Sequence, residues 1–190
     1  MVYNPPPCRL PYNKANSVPT LPTIRPATHE DIPALLTLVN SAYRGESSRA
    51  GWTSEADLLD GIRTTRPALE DMLAHPDAVI LLYEDGETLA GCVYLEKLGL
   101  SMYLGMLSVS PQLQAKGIGK RLLEAAGNRA REQSCTTMEM TVISVRHELI
   151  AWYERHGYHQ TGEKEPFPTD EEKFGIPRQK LEFVVLKKLL

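Results

Sequence analysis

Two glycines separated by a single residue stand in a basic segment whose composition suits the binding of a phosphate group. Residues 109–120, with the sequence VSPQLQAKGIGK, join the end of a strand-like run to the start of a helical pattern. Gly117 and Gly119 allow the backbone to approach a ligand closely, and the N-terminus of the following helix contributes about half a positive charge. Lys116 and Lys120 add further positive charge. The segment therefore predicts a phosphate site formed largely by backbone N–H groups.

Two widespread phosphate-binding loops do not match this segment. The Walker loop, G-x-x-x-x-G-K-[ST], would require a glycine where the sequence has Gln114 and a serine or threonine where it has Arg121. The dinucleotide fingerprint, G-x-G-x-x-G, would require a third glycine where Leu122 stands. Another kind of phosphate-containing ligand is therefore expected.

The segment resembles the coenzyme A loop of the GNAT superfamily, the acetyl-CoA-dependent N-acetyltransferases. The match is Q-x-x-G-x-G over residues 114–119, after a strand that ends in V-x-P at residues 109–111. A second match is WYERHGY at residues 152–158, which resembles the family's F/L-Y-E-x-x-G-F/Y helix end. The resemblance covers about residues 23–190. It implies a single-domain α/β (α+β) fold, with a mixed, mostly antiparallel sheet flanked by helices on both faces.

The resemblance also implies acetyl-CoA as the cofactor and a primary amine as the acceptor, which attacks the thioester directly. In this family the loop N–H groups hold the pyrophosphate of coenzyme A, and backbone groups of one strand pair with the pantetheine arm. The residues assigned to the cofactor in this way are Leu107, Val109, Gln114, Ala115, Lys116, Gly117, Ile118, Gly119 and Lys120.

Tyr153 is the residue that the resemblance assigns to protonation of the leaving thiolate, because the family's tyrosine at this helix end points at the sulfur. An ordinary pKa of about 10 keeps a tyrosine protonated at neutral pH. The alternative role is that of a core aromatic on an amphipathic helix, for which Trp152 is the better candidate.

The acceptor amine must also lose a proton before it attacks. An alkylamine with a pKa of about 10.4 is neutral in only about one molecule in two thousand at pH 7, which costs about 4 to 5 kcal/mol. The family's subgroup that acetylates protein N-termini has a glutamate twelve residues before the tyrosine, whereas this sequence has Thr141. We rank Glu96 first as the general base, because it follows an apolar strand and should lie near the open end of the sheet. Glu139 and Glu46 are the other candidates.

Arg146 is a further departure, because the family pattern has asparagine seven residues before the tyrosine. Its guanidinium is suited to a phosphate or a substrate carboxylate, and a solvent-facing position at a helix start is the alternative. Both departures weaken the transfer of a protein N-terminal specificity to this chain.

Aromatic and charged residues beside glycine and proline mark two segments, residues 43–52 and 166–177, as walls of an acceptor site. In this family the acceptor enters between the corresponding loops. We predict Tyr43, Glu46 and Trp52 as substrate-binding residues, and Trp52 could offer its ring face to a cation. A surface loop with anchoring aromatics is the alternative.

Apolar periodicity predicts the elements that would position these residues. Thr28 and Asp31 form a capping pair before an amphipathic helix, and Asp85-Gly86 between two strand-like runs predicts a hairpin. The expected order is a strand at 23–27, a helix from 28, short helices at 54–62 and 67–75, strands at 78–84, 88–96 and 103–109, a helix of about four turns after 119, a strand at 138–143, a helix at 149–156, and strands at 158–163 and 183–188.

Composition restricts the remaining possibilities. Six of the fourteen prolines fall in residues 1–22, which we expect to be a disordered extension before one domain at residues 23–190. With a net charge of −3 and no basic run longer than two residues, nothing in the sequence indicates a nucleic-acid surface. A longest apolar run of six residues excludes a membrane-spanning helix. The start of the chain lacks the features of a secretory signal.

The three cysteines, Cys8, Cys92 and Cys135, form no C-x-x-C pair, which disfavours a metal site or a disulfide framework and favours a reducing, cytoplasmic location. Cys92 and Cys135 lie in apolar segments and are expected to be buried.

The main functional interpretation is an N-acetyltransferase for a small-molecule amine. The alternatives are a protein or peptide acetyltransferase, acting on a lysine or an N-terminus, and an acyl-CoA-binding regulatory module without turnover. The pocket-like loops favour the first, and the retained Tyr153 disfavours the last. The sequence leaves open the acceptor, the acyl-chain preference and the oligomeric state, a homodimer included.

Overall fold

A seven-stranded sheet with helices on both faces forms the body of the molecule. The computed structural model describes residues 21–86, 88–168 and 175–190. Within these residues the helices are α1 (Ile32–Tyr43), α2 (Gly45–Ser48), α3 (Arg66–Ala74), α4 (Ile118–Glu132) and α5 (His147–Arg155). The strands are β1 (Thr23–Pro26), β2 (Leu59–Asp60), β3 (Ala78–Asp85), β4 (Thr88–Leu98), β5 (Ser101–Val109), β6 (Thr137–Ile143), β7 (His159–Pro166), β8 (Ile176–Pro177) and β9 (Glu182–Leu189).

The strand order of the large sheet is β1-β3-β4-β5-β6-β9-β7, and β2 and β8 form a separate two-stranded sheet. Among the paired strands of the large sheet, only β5 and β6 run parallel. Their pairing extends only from Ser101 to Tyr103 on β5, opposite Thr137 to Glu139 on β6. Beyond Tyr103 and Glu139 the two strands do not pair with each other, which leaves an opening in the middle of the sheet. The mixed, mostly antiparallel fold expected from the sequence is confirmed.

Each face of the sheet has its own core, because successive side chains of a strand point to opposite faces. On β4, Cys92 and Tyr94 belong to the core that α1 and α3 cover, whereas Val93 and Leu95 belong to the core that α4 and α5 cover. A strand buried on both faces is an unbroken apolar run rather than an alternating one. Cys92 is buried, and so is Cys135, as their apolar contexts predict.

Local sequence signals are confirmed where the hydrogen bonds are also local. The side chain of Asp31 accepts the backbone N–H of Thr28 at 2.8 Å, as the capping pair predicts. The hairpin forms at the predicted place, with Asp85 paired with Thr88 and Gly86 at φ 66°.

The predicted helix at residues 54–62 is wrong. The segment consists of turns and the short strand β2, which pairs with β8. Long-range contacts decide its conformation: the backbone N–H of Glu55 donates to the carbonyl of Tyr43 at 2.9 Å, and Leu59 is buried in a cluster with Ile143 and Leu181. Tertiary contacts of this kind override the weak helical preference of a short segment.

The predicted N-terminal extension lies, except for its last two residues, outside the described residues, so its disorder stays a prediction. None of the helices in the described part of the chain has the length and apolar character needed to cross a membrane. No cluster of three or more His, Cys, Asp or Glu side chains suited to a metal ion occurs among those residues either.

Candidate active site

A cleft of about 620 Å³ lies between the end of β5, the start of α4 and one side of α5. This volume is within the range of about 300–1,000 Å³ that is typical of small-molecule sites. Lys116 is exposed on the loop and does not line the cleft. The cleft is lined by the other eight residues predicted to bind the cofactor, which are Leu107, Val109, Gln114, Ala115, Gly117, Ile118, Gly119 and Lys120.

The loop before α4 presents the positive end of a helix to this cleft. Gly117 is the N-cap of α4 and has φ 79°, in the left-handed region that glycine adopts without strain. Ala115 also has a positive φ of 63°. A Cβ built on Gly119 would stand 3.4 Å from the ring of Trp152, so glycine keeps the wall of the cleft open there. The first N–H groups of a helix have no partner within it and are suited to an anion.

Gln114 ties this loop to the segment that follows α2. Its Oε1 accepts the backbone N–H of Trp52 at 3.0 Å, and its Nε2 donates to the hydroxyl of Thr53 at 2.9 Å. A Cβ on Gly51 would clash with the Gln114 amide at 2.7 Å, so glycine is needed for this close approach. Gln114 therefore also has a structural role that the sequence analysis did not predict.

Strand β5 carries a β-bulge in its pairing with β4, beside the opening. Two residues of β5, Met106 and Leu107, stand opposite a single residue of β4, and Met106 has φ 51°. The hydroxyl of Tyr43 donates to the carbonyl of Leu107 at 2.9 Å, on the wall of the cleft. Bulges redirect backbone groups next to active sites. A strand edge without a neighbouring strand is also suited to pairing with an extended ligand.

Tyr153 lies on α5 and is 6% exposed. Its ring makes edge contacts with Trp152 at 5.0 Å and with Tyr158 at 5.8 Å between centroids. Burial, and to a smaller extent the nearby Tyr43 hydroxyl, raise the pKa of Tyr153 well above its ordinary value. The phenol is therefore protonated throughout the neutral pH range. Its hydroxyl makes no hydrogen bond to the described residues, so it is available to a ligand.

A second cavity of about 100 Å³ adjoins the cleft on the side of β6. It is much smaller than a typical ligand site and suits a compact chemical group. The residues that line both cavities are Tyr43, Leu107, Arg146, Leu149 and Tyr153. Tyr153 therefore stands where the cleft and this pocket meet.

Of the residues that the structure describes, three arginines and one glutamate line the small pocket. One carboxylate oxygen of Glu55 forms an ion pair with Arg44 at 2.5 Å, and the other forms an ion pair with Arg146 at 2.9 Å. Arg146 also donates to the carbonyl of Thr53 at 2.6 Å. All three ionic side chains are at most 8% exposed, and this burial lowers the pKa of Arg44. The third arginine, Arg63, holds its guanidinium carbon 5.3 Å from the centre of the Tyr43 ring.

The structure does not bring Glu96 to this site. Glu96 pairs with Tyr103 on β5, at the closed end of the sheet, and lines neither cavity. It accepts the Tyr94 hydroxyl at 2.8 Å and stands 3.7 Å from the His75 ring nitrogen. The expected position of Glu96 near the open end of the sheet is therefore wrong, because the end of β4 meets the start of its antiparallel neighbour.

The two other candidate bases also lie outside both cavities. Glu139 forms an ion pair with Lys187 at 3.1 Å. Glu46 is 92% exposed and pairs with Arg49 at 3.1 Å, so its predicted contact with substrate is not reproduced. Of the described residues that line the small pocket, Glu55 is the only carboxylate. No local pattern marked it, because it lies in the segment predicted to be a helix.

The predicted substrate-side aromatics divide between the two cavities. Tyr43 lines both. Trp52 lines the cleft but not the small pocket, and its ring centre lies 6.1 Å from that of Trp152. In the second predicted wall segment, residues 166–177, Phe167 lines the small pocket, and its ring centre lies 5.2 Å from that of Phe183. Residues 169–174 of that segment lie outside the described residues.

The chain matches the model of the acetyltransferase (GNAT) family over residues 35–158. No protein in a curated collection matches the sequence. Among similar solved structures, the ribosomal-protein-S18-alanine N-acetyltransferase from Escherichia coli has a TM-score of 0.67 at 15% identity, over 89% of this chain and 94% of that one. The ribosomal-protein-alanine N-acetyltransferase from Brucella melitensis has a TM-score of 0.63 at 24% identity, over 88% and 99%.

A third similar structure is the PaiA N-acetyltransferase from Thermoplasma acidophilum in complex with coenzyme A. Its TM-score is 0.65 at 17% identity, over 90% of this chain and 100% of that one. At these identities the three structures indicate a shared fold.

Proposed function

Since this chain belongs to the acetyltransferase (GNAT) family, we propose that it transfers the acetyl group of acetyl-CoA to a primary amine of a small molecule, with Tyr153 as the general acid. The observation that carries the proposal is that Tyr153, protonated and without a hydrogen-bond partner among the described residues, lines both the large cleft and the small pocket. A group in that position can reach a leaving atom held in the cleft while an acceptor occupies the pocket.

The residues of the cleft fit coenzyme A by their chemistry. The N-terminus of α4, capped by Gly117, offers backbone N–H groups and a positive dipole end to a pyrophosphate. The free edge of β5 beyond Tyr103 offers backbone groups to the amide-containing pantetheine arm. When bound, acetyl-CoA supplies the thioester that the amine attacks.

Each residue then has a defined task. We assign stabilisation of the oxygen that becomes negative during attack to a backbone N–H of Leu107, in the bulge, or of Val109. Tyr153 donates its proton to the departing thiolate, and it regains a proton from solvent, which takes up the proton that the attacking nitrogen loses as the amide forms. Tyr43, fixed by its hydrogen bond to the Leu107 carbonyl, forms part of the wall between the two cavities.

Deprotonation of the acceptor is assisted by the charge of the pocket. Arg44, Arg63 and Arg146 line it, and nearby positive charge disfavours an ammonium ion relative to the neutral amine. Glu55 has each carboxylate oxygen in contact with a guanidinium, so we assign it the positioning of these arginines rather than proton abstraction. The proton leaves to solvent.

The small pocket favours a small acceptor over a protein. Its volume of about 100 Å³ admits only a compact group, and Phe167 lies on its wall. A protein N-terminus is the second candidate, because two of the similar structures carry names that specify a ribosomal-protein alanine. A binding module without turnover is the third.

One assay separates the three. Both tryptophans of the chain, Trp52 and Trp152, line the cleft, so their fluorescence reports acetyl-CoA binding directly. Release of free thiol from acetyl-CoA is then measured with amines, amino acids and peptides that have a free N-terminus. The proposal expects a fluorescence change and the fastest release with small amines. Fastest release with peptides would favour the second candidate, and binding without release in every case would refute catalysis.

A further inference from the structure

Among the described residues, more arginines than carboxylates line the small pocket. These residues are Arg44, Arg63 and Arg146, with the carboxylate of Glu55. Arg44 and Arg146 share Glu55. Arg63 makes no ion pair with a described carboxylate, and lies 5.3 Å from the centre of the Tyr43 ring. Arg63 is half-buried, and a guanidinium that is partly withdrawn from water is stabilised by a counter-charge beside it.

We propose that the acceptor amine also carries a carboxylate, as an amino acid does, and that Arg63 binds this carboxylate. The inference rests on the proposed function, since it concerns the acceptor of the same site. A guanidinium suits a carboxylate because its parallel N–H groups match the two oxygens. When no acceptor is bound, a cation–π contact with the ring of Tyr43 stabilises the guanidinium of Arg63.

The layout of the two cavities orients such a molecule. Arg63 lines the small pocket but not the cleft, whereas Tyr43 and Tyr153 line both. A carboxylate held at Arg63 therefore lies away from the cleft, and the amine of the same molecule points towards Tyr153. Glu55 holds Arg44 and Arg146 in place. An amine of equal size without a carboxylate would give Arg63 no counter-charge beyond what the described residues supply.

The test compares amino acids with their carboxamides, which differ only in the charged group. For the wild type we expect a higher kcat/KM with the amino acid. Arg63→Gln should lower the ratio of the two kcat/KM values by about 10- to 150-fold, the range for one charge-assisted hydrogen-bonded contact. The loss should fall mainly on KM for the amino acid. The carboxamide should lose only the smaller contribution that the charge of Arg63 makes to deprotonation of the amine. Because the ratio is compared between proteins, the different amine pKa values of the two compounds cancel.

Arg66→Gln is the matched control. Arg66 is exposed on α3, pairs with Glu70 at 3.3 Å and lines neither cavity, so the same change of charge should leave the ratio unaltered. Equal losses on both compounds in Arg63→Gln would overturn the inference. A wild type whose kcat/KM, calculated on the concentration of neutral amine, is higher for the carboxamide would also overturn it. If Arg63→Gln loses its cooperative melting, Arg63→Lys replaces it. A lysine keeps the positive charge but lacks the two parallel N–H groups of arginine, so the ratio of the two kcat/KM values should fall by a smaller factor. An unchanged ratio would contradict the binding of the carboxylate by Arg63.

A separate measurement distinguishes failure of this inference from failure of the proposed function. The coenzyme A complex is titrated calorimetrically with each amino acid and its carboxamide. If no amine is acetylated, the proposed function fails, but tighter binding of the amino acid than of the carboxamide still supports the charge preference. Equal binding, or none, refutes it whether or not turnover occurs.

Discussion

The substitution Tyr153→Phe removes only a hydroxyl group, so it tests the role of that group in the reaction while the packing of the ring is kept. The ring contacts with Trp152 at 5.0 Å and with Tyr158 at 5.8 Å do not involve the hydroxyl. That hydroxyl has no hydrogen-bond partner among the described residues, so its loss should change the free energy of unfolding by less than about 1 kcal/mol. An effect on turnover then has to come from the reaction itself.

The magnitude follows from the two proton affinities. A thiol leaves as a thiolate with a pKa of about 8.5, whereas burial raises the pKa of Tyr153 above its usual value of about 10. Complete proton transfer is therefore uphill by at least about 2 kcal/mol, which favours partial donation in the transition state. General acids contribute roughly 10²- to 10⁴-fold, and we expect the lower end, about a 100-fold fall in kcat. Because the phenol stays protonated, the loss should be the same from about pH 6 to pH 9.

Thiol release from acetyl-CoA, measured across that pH range, tests this prediction. Tyr158→Phe is the matched control, since Tyr158 is also buried in the same core but lines neither cavity. Its turnover should stay close to that of the wild type. An unchanged kcat in Tyr153→Phe would refute the assignment. A fall in kcat that is matched by Tyr158→Phe, or by a lowered melting temperature, would assign the effect to packing.

Three further predictions follow from the geometry. Gly119→Val, which places side-chain atoms towards Trp152, should weaken the binding of acetyl-CoA, measured by tryptophan fluorescence, by about tenfold or more. The binding of acetyl-pantetheine should weaken less, because only acetyl-CoA has a pyrophosphate. Equal effects on the two ligands would contradict the assignment of the loop. Glu55→Gln removes the carboxylate that the two buried guanidiniums of Arg44 and Arg146 share, and it should lower the free energy of unfolding, measured with urea, by about 3–5 kcal/mol. A decrease below about 1 kcal/mol would show that these ion pairs do not stabilise the fold. The Arg25 guanidinium holds the pKa of Asp31 well below its usual range, so the stability it confers is present above about pH 4 and is lost as the pH falls towards the lowered value. The deficit of Asp31→Asn should therefore be largest near pH 7 and shrink below about pH 4 in urea unfolding, and a constant deficit would refute the linkage.

The cofactor side of the site was predictable from the sequence because its determinants are local. The glycine spacing and the strand-to-helix transition at residues 109–120 depend on backbone conformation and on the start of one helix. The structure places eight of the nine predicted cofactor residues on one cleft. The exception, Lys116, shows the limit of the argument: position in a loop fixes the backbone, but not the direction of a long side chain.

The error at Glu96 has a different cause. The hairpin at Asp85-Gly86 makes β4 antiparallel to β3, and a tight connection makes β5 antiparallel to β4 in turn. The end of β4 must then lie beside the start of β5, which is the end away from Val109 and the phosphate loop. The predicted hairpin and the order of the strands already contain this geometry. The position of Glu96 in the sheet therefore follows from the directions of β3, β4 and β5, and not from its place at the end of its own strand.

The acceptor pocket could not be predicted in this way, because its charges meet only in three dimensions. Glu55 and Arg146 are 91 positions apart and Arg146 contacts the carbonyl of Thr53 as well. The hydroxyl of the same Thr53 accepts the side chain of Gln114 from the cofactor loop. Residues 53–55 are thus connected by hydrogen bonds to residues of both cavities. Arg146 reaches Glu55 and the carbonyl of Thr53 at the same time because its side chain is long and carries several N–H donors, so this connection depends on an arginine at that position.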